Sequence, residues 1–208
     1  GPLRVSLVLP RIRVGRALFG EDGTTKWAME FGDGHKAETV LIPSRIRGTV
    51  CVSSQSGCTR ACAFCATAAM GFRRNLTAGE IVYQFLVARD AAAKSGLDAT
   101  NVVFMGMGEP LDNLDAVLLA VRSLTDVFPG LSPRRVTVST SGVAPRMSRF
   151  LRESRASLAL SLNATIDETR TRLMPHNQTW PLASIVAVLR EATASMPRRF
   201  FVEYVQLP

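Results

Sequence analysis

The chain has 208 residues, 47% hydrophobic and 20% charged, with 25 Lys and Arg against 17 Asp and Glu for a net charge of +8. That composition suits one buried core with at most a small appendage and excludes a disordered or fibrous chain. No run approaches the roughly 18–20 apolar residues of a membrane span, and stretch 5–9, bracketed by Arg4, Arg11 and Arg13, lacks the pattern of a secretory leader.

The expectation is therefore a soluble cytoplasmic protein, working as a monomer without membrane attachment. Gly1 is not a translation start, so Gly1–Pro2 reads as a protease scar, with leader removal or an internal fragment as alternatives. Arginines come in groups, Arg11, Arg13 and Arg16, then Arg45 and Arg47, Arg73 and Arg74, Arg134 and Arg135, Arg198 and Arg199. Each group alone suits a solvated surface, whereas their sum favours a polyanionic partner such as nucleic acid. Charge does not separate RNA from DNA.

Residues 25–31 and 37–42 read as antiparallel strands joined through Gly32-Asp33-Gly34, with Pro43 as the end of the pair. After them, strand and helix alternate. A strand at 49–53 leads into the cysteine loop. A helix follows from Thr77, whose spacing to Glu80 is a capping box, with Ile81, Phe85 and Ala88 at helical intervals. Next come a strand at 101–105, a helix at 114–127 stopped by Pro129 and Gly130, a strand at 135–139 and a helix at 145–152. A strand at 157–162, helical pieces at 165–173 and 181–195 (the latter opened by Pro181) and a strand at 199–207 complete the chain.

Five strands alternating with helices predict an α/β fold, a parallel sheet with right-handed crossovers forming part of a (β/α) barrel. The expected organisation is an antiparallel β extension over 1–46 and a core domain over 47–208. Such barrels place chemistry at the carboxyl ends of their strands. The unusual residues fall there: the cysteine loop after the first strand, 106–110 after the second, 139–142 after the third and Asn163 after the fourth.

All four cysteines lie between Cys51 and Cys65, which points away from a disulfide scaffold and toward a metal or redox site. Cys58, Cys62 and Cys65 form C-x3-C-x2-C. Three thiolates on so short a loop can hold three irons of one [4Fe–4S] cubane and leave the fourth open to a ligand. S-adenosylmethionine (SAM) can chelate that iron and be cleaved reductively to a 5′-deoxyadenosyl radical. The alternative is structural zinc with Cys51 as fourth ligand, although such sites usually pair their cysteines in two knuckles. Gly106 and Gly108 suit a tight turn, or a backbone brought close to the SAM amino group with the Glu109 carboxylate beside it. Ser139 and Asn163 read equally as polar caps of strand ends.

Five stretches together resemble one family: Cys51-Val-Ser-Ser-Gln-Ser-Gly-Cys58; Gly71-Phe-Arg-Arg-Asn-Leu-Thr-Ala-Gly-Glu-Ile81; Val102-Val-Phe-Met-Gly-Met-Gly-Glu-Pro110; Val136-Thr-Val-Ser-Thr-Ser-Gly142; and Glu203-Tyr-Val205. The family is the radical SAM methyltransferases acting on carbon 2 of an adenosine in 23S rRNA and tRNA, with the carbon-8 resistance methyltransferases as close relatives. The resemblance implies a radical SAM barrel in which Cys58, Cys62 and Cys65 bind the cluster. Gly108, Glu109, Ser139, Ser161, Leu162 and Asn163 would bind SAM, many members having His where Asn163 stands. Glu38 matches the family's proton acceptor and Cys51 the cysteine that resolves a protein–RNA link. Partners by the same resemblance are 23S rRNA or tRNA and an electron donor such as flavodoxin or ferredoxin.

In the family a methylated cysteine near the carboxyl terminus carries the transferred carbon, and here no cysteine follows Cys65. The expectation is a chain truncated before the last barrel strand and tail, or a shortened relative. Two other readings stand beside it: radical SAM chemistry of another kind, such as carbon-8 methylation, and a zinc-stabilised RNA-binding module.

Overall fold

Alternating apolar and polar side chains build one half of a sheet, and continuous apolar runs build the other. The computed structural model describes residues 11–127, 130–195 and 200–206. Gly1, Pro2, Arg4, stretch 5–9, Pro129, the Arg198–Arg199 pair and Leu207 lie outside them.

Strands β1 (Ile12–Val14) and β2 (Leu18–Phe19) both run antiparallel to β3 (Thr25–Phe31), β3 to β4 (Lys36–Ser44), and β4 to β5 (Arg47–Cys51). On β3 and β4, Trp27, Met29, Phe31, Ala37, Thr39 and Leu41 are buried on one face, with Lys26, Ala28, Glu30 and Glu38 on the other. The β3–β4 pair ends before Pro43, as expected, while β4 itself continues through Pro43. That proline lies opposite Gly48 of β5, and the pairing with β3 has already stopped at Leu41. A proline is tolerated where the strand has a neighbour on one side only.

The chain then forms β6 (Gln55–Ser56), α1 (Ala66–Ala69) and β7 (Arg74–Asn75), which pairs back on β6. In α2 (Ala78–Lys94) the capping box is present: Thr77 Oγ1 accepts from Glu80 N at 3.2 Å, and Glu80 Oε2 accepts from Thr77 N at 2.8 Å. Arg74 grips the same carboxylate through two bonds of 2.8 Å, pairs with Asp33 and lies 5.1 Å over the Phe31 ring. One arginine thereby fastens the β3–β4 turn to the start of α2.

The remaining elements are β8 (Asp98–Phe104), α3 (Leu114–Arg122), β9 (Val136–Thr140), α4 (Ala144–Glu153), β10 (Ser157–Ser161), α5 (Asp167–Leu173), α6 (Leu182–Ser195) and β11 (Phe200–Glu203). Pairing runs parallel from β5 to β8, β9, β10 and β11, so five parallel strands continue the antiparallel ones in a single nine-stranded sheet. The α3 helix ends five residues before the expected point and widens into a π turn over Ser123–Val127. There Ser123 and Thr125 hydroxyls donate to the Leu119 and Val121 carbonyls, competing with the helical pattern. The last strand is shorter than expected because Asn163, in the left-handed region at φ +57°, takes the Val205 N–H on its side chain at 3.1 Å.

Register sorts the sheet into two faces. The helix-covered face buries Val50, Val102, Phe104, Val138, Leu158 and Leu160. The opposite face carries Lys26, Glu38, Val40, Cys51, Val103, Thr137, Ser139, Ala159, Ser161, Phe201 and Glu203. Among the described residues no helix is long and apolar enough to cross a membrane.

Candidate functional site at the strand ends

The segment from β5 to the cysteine loop is polar yet buried, with Ser53, Ser54, Gln55 and Ser56 all at 3% exposure or less. Such a segment is stable only if its polar groups find partners. Gln84 of α2 accepts from Ser53 N at 2.8 Å and donates to Ser53 O at 3.0 Å. Asn113 donates to Ser54 O and Leu76 O at 2.8 and 2.7 Å. The Gln55 side chain bridges Asn75 and Glu109 N. Gly108, at φ +101°, lies so close that a Cβ there would meet Gln55 at 2.5 Å, and one on Gly106 would meet Ser53 Oγ at 2.7 Å. These glycines are thus required first by packing of loop 106–108 on segment 52–55.

That frame presents the cysteine loop at the carboxyl ends of β5 and β8. Its first half is held where Thr59 Oγ1 and Arg60 Nη2 donate to Asp112 Oδ2 at 2.6 and 2.5 Å, and Arg60 lies 5.5 Å over the Trp180 ring. Its second half is held by Ala63 N on Leu173 O at 2.8 Å. Cys58, Cys62 and Cys65 line one cavity of about 270 Å³ together with Gly108, Glu109, Ser139, Ser161, Asn163 and Glu203. Burial pushes the Cys62 thiol up to about 11, reinforced by Cys58, Cys65 and Glu109 and opposed by Arg60, and Cys58 moves the same way from the same leading cause. Metal binding at these thiols must displace protons.

Glu109 is buried at 3% exposure and already has three donors: Leu111 N at 3.0 Å, Ser141 N at 2.8 Å and Ser141 Oγ at 2.6 Å. A carboxylate offers about four acceptor positions. Its first task is to tie the loop after β8 to the loop after β9, with one position left for a ligand. Below it Arg170, with no exposed surface, donates to Leu162 O (3.0 Å), Ser161 O (3.2 Å), Ser141 O (2.6 Å) and Asn177 Oδ1 (2.6 Å). Burial pulls its pKa below the usual arginine range. One guanidinium thereby staples the ends of β9 and β10. His176 Nε2 lies 3.0 Å from Ser141 O, which can only accept, so that nitrogen carries the proton, and burial lowers its pKa.

Leu162 does not line the cavity; it contributes its backbone, N–H to Glu203 O and carbonyl to Arg170. Cys51 and Glu38 are also outside the lining. Val40 stands opposite Cys51, so Glu38, two residues along β4, is the diagonal neighbour of Cys51 on the same face, a separation of about 7–8 Å. Glu38 is half-exposed and pairs with Lys26 at 2.9 Å. Burial pushes the Cys51 thiol up to about 11, against the opposing effect of the Met105 N–H on its sulfur.

The donor set suits a cubane. Three thiols of one loop face one cavity, and Cys51 is not with them.

Arg60, Arg170 and Met174 escaped the sequence reading, whereas Ser141 and Glu203 stood in its quoted stretches without a role of their own. Glu203 carried a usable sign, a carboxylate at the end of a parallel strand. Arg170 carried none, since Asp167–Leu173 holds two arginines and two acids with no mark of which turns inward.

Residues 52–208 match the radical SAM superfamily. The dual-specificity RNA methyltransferase RlmN of Alkalilimnicola ehrlichii is 47% identical over 206 residues, covering 98% of this chain and 57% of that protein. Its counterpart in Syntrophobacter fumaroxidans is 48% identical over 189 residues, with 90% and 55% covered. A crystal structure of a radical SAM methyltransferase from Sphaerobacter thermophilus aligns with a TM-score of 0.88 at 42% identity, over 93% of this chain and 57% of that one. The chain spans little more than half the length of these proteins.

Proposed function

The chain belongs to the radical SAM superfamily, whose cofactors are a [4Fe–4S] cluster and SAM, and from that premise we propose that it is the catalytic core of an RNA methyltransferase acting on carbon 2 of an adenosine in 23S rRNA or tRNA. The observation that carries this is the convergence, in one cavity at the ends of parallel strands, of three loop thiols with Glu109, Ser139, Ser161 and Asn163. The bound cluster and SAM supply one-electron cleavage chemistry and the methyl group.

In this proposal Cys58, Cys62 and Cys65 hold the cluster. Glu109 offers its remaining acceptor position to an ammonium, and Ser139, Ser161 and Asn163 face the rest of SAM, while Leu162 shapes the site through its backbone. Cys51 holds its proton tightly, and Glu38 is the carboxylate on the same sheet face for proton traffic beside it. The methyl-carrying thiol is not among these 208 residues, because no cysteine follows Cys65. RNA phosphates have candidate partners in the exposed Arg11, Arg16, Arg45, Arg47 and Arg73, whereas Arg74 is committed to Asp33 and Glu80. An electron donor of the flavodoxin or ferredoxin class belongs to the same proposal.

The test has two stages. Anaerobic reconstitution should give about four irons per chain, lost in Cys58→Ala, Cys62→Ala and Cys65→Ala and kept in Cys51→Ala. Joined to the carboxyl-terminal segment of the Alkalilimnicola ehrlichii relative, the reconstituted chain with SAM and reductant should form 2-methyladenosine in 23S rRNA or tRNA, read by mass spectrometry. Binding of one zinc with no iron would overturn the cluster assignment. 8-Methyladenosine as product would overturn the carbon-2 assignment.

A further inference from the structure

At the end of the sheet away from the cysteine loop, a second cavity of about 330 Å³ lies where α2 and the loop before β9 meet the start of β8. Arg89, Asp98, Thr100 and Arg135 supply polar groups to its lining, and Phe85 and Leu131 an apolar wall.

The protein's own contacts leave two of these polar groups unanswered. The Thr100 hydroxyl and Nη1 of Arg135 are both buried, and neither has a hydrogen-bond partner. Buried polar atoms without a partner are few in native proteins, because leaving one unpaired forfeits its hydration with nothing in return. The backbone, moreover, makes a special place for Thr100. Where β5 pairs with β8, Gly48 faces Ala99 and Thr49 faces Asn101, so Thr100 is an extra residue with no counterpart. A bulge of this kind re-aims a side chain at the cost of local pairing.

Charge gives the sign of the missing partner. Two guanidinium groups and one carboxylate, that of the exposed Asp98, belong to the lining. Among the described residues Arg135 makes no ion pair with a carboxylate. A guanidinium only donates, and a hydroxyl donates or accepts, so their common complement is an anion with several acceptor oxygens. The planar fork of arginine matches phosphate in this way. We propose that Thr100 and Arg135, with Arg89, form a second binding site at the amino ends of the strands, which takes a terminal phosphate group, as free phosphate or as a monoester. Bound there, it joins α2, β8 and the loop before β9 through one ligand. The site is independent of how the cysteine cavity is used.

The experiment is equilibrium dialysis of radiolabelled inorganic phosphate against the reconstituted chain at constant ionic strength, with adenosine monophosphate as competitor and the urea midpoint as control of integrity. Saturable binding of about one phosphate per chain is expected. Arg135→Met should weaken it tenfold or more. Thr100→Val, which keeps the side-chain shape, should weaken it about threefold and carries the comparison if the methionine variant is unstable. Arg47→Met, at an exposed arginine outside the cavity, should change it less than twofold. Phosphate should also raise the urea midpoint of wild type more than that of Arg135→Met, since general salt effects are common to both. Tighter binding of adenosine monophosphate than of phosphate assigns the ligand to a monoester, and the reverse order to the free ion. Absence of saturable binding overturns the proposal. Binding that survives in both cavity variants overturns it too, by placing the phosphate elsewhere, the cluster iron included. Equal loss in Arg47→Met reduces it to diffuse attraction by a basic surface, and binding of an oligonucleotide with internal phosphates alone, but not of free phosphate, refutes the terminal-phosphate assignment.

Discussion

Replacing Glu109 by alanine should unfold the site before it affects any ligand. The carboxylate is the acceptor for two buried backbone N–H groups, Leu111 and Ser141, and for the Ser141 hydroxyl. In Glu109→Ala the hydroxyl can rotate to another partner, but the two amides cannot. Each buried donor left without an acceptor costs roughly 1–3 kcal/mol. Relief of the buried carboxylate's own desolvation offsets part of that, and we expect a net loss of about 3 kcal/mol, a large share of the roughly 5–15 kcal/mol typical of a domain. With a urea m-value of about 2 kcal/mol/M, the midpoint of the metal-free chain should fall by about 1.5 M. Glu109→Gln keeps one acceptor oxygen but turns an amide toward a donor, and should lose about half as much. The assay is urea unfolding followed by tryptophan fluorescence and circular dichroism, with coincident transitions as the check on two-state behaviour. Should Glu109→Ala unfold within about 0.5 kcal/mol of wild type, the three bonds contribute nothing net and Glu109 serves ligand binding alone.

Two other outcomes follow from buried groups. Arg170→Met should destabilise by about 3 kcal/mol, because four buried or half-buried acceptors lose the guanidinium, although Ser141 O keeps another donor in His176 and Leu162 O one in Ala164 N; Arg170→Lys should rescue little of it, since one ammonium cannot span the planar fork. In the reconstituted protein Cys51 should react with iodoacetamide at pH 8 about two orders of magnitude more slowly than an unperturbed thiol of pKa near 8.5, and faster as pH approaches its raised value of about 11. The linked stability has a definite sign: the folded state keeps the Cys51 proton longer than the unfolded state, so stability should decline from about pH 8.5 toward pH 11. A Cys51→Ala variant should lack that part of the decline, read as urea midpoint against pH.

Much of this architecture was legible in local patterns. The five parallel strands, the capping box at Thr77 and Glu80 and the cysteine spacing were readable because each depends on residues near in sequence. Where a boundary depended on distant groups, the reading slipped. Strand β4, read as ending at 42, runs on through Pro43 because β3 stops short of it, and α3 ends early because two hydroxyls bond back along it. The same division holds in the site. Cys58, Cys62 and Cys65 stood out by spacing, whereas the three-way grip on Glu109 joins residues 32 positions apart and the Glu203–Ser139 contact joins residues 64 apart. Only the register of parallel strands brings such groups together. Packing on Gln55 and Ser53 likewise gives Gly106 and Gly108 a reason that the local sequence did not.

The sheet changes direction at β5, which is paired antiparallel with β4 on one side and parallel with β8 on the other. A bare strand edge presents unpaired N–H and C=O groups that template pairing with a second chain. The antiparallel ribbon before β5 therefore has a duty in solubility: it seals the rim of the parallel sheet and ends it in Arg11, Arg13 and Arg16, whose repulsion discourages another strand from docking. At the other rim β11 is last in the sheet order, with Phe201 and Val202 more than half exposed. Stripping away residues 11–44 would bare the β5 edge of the parallel sheet and should make the chain prone to strand-to-strand association.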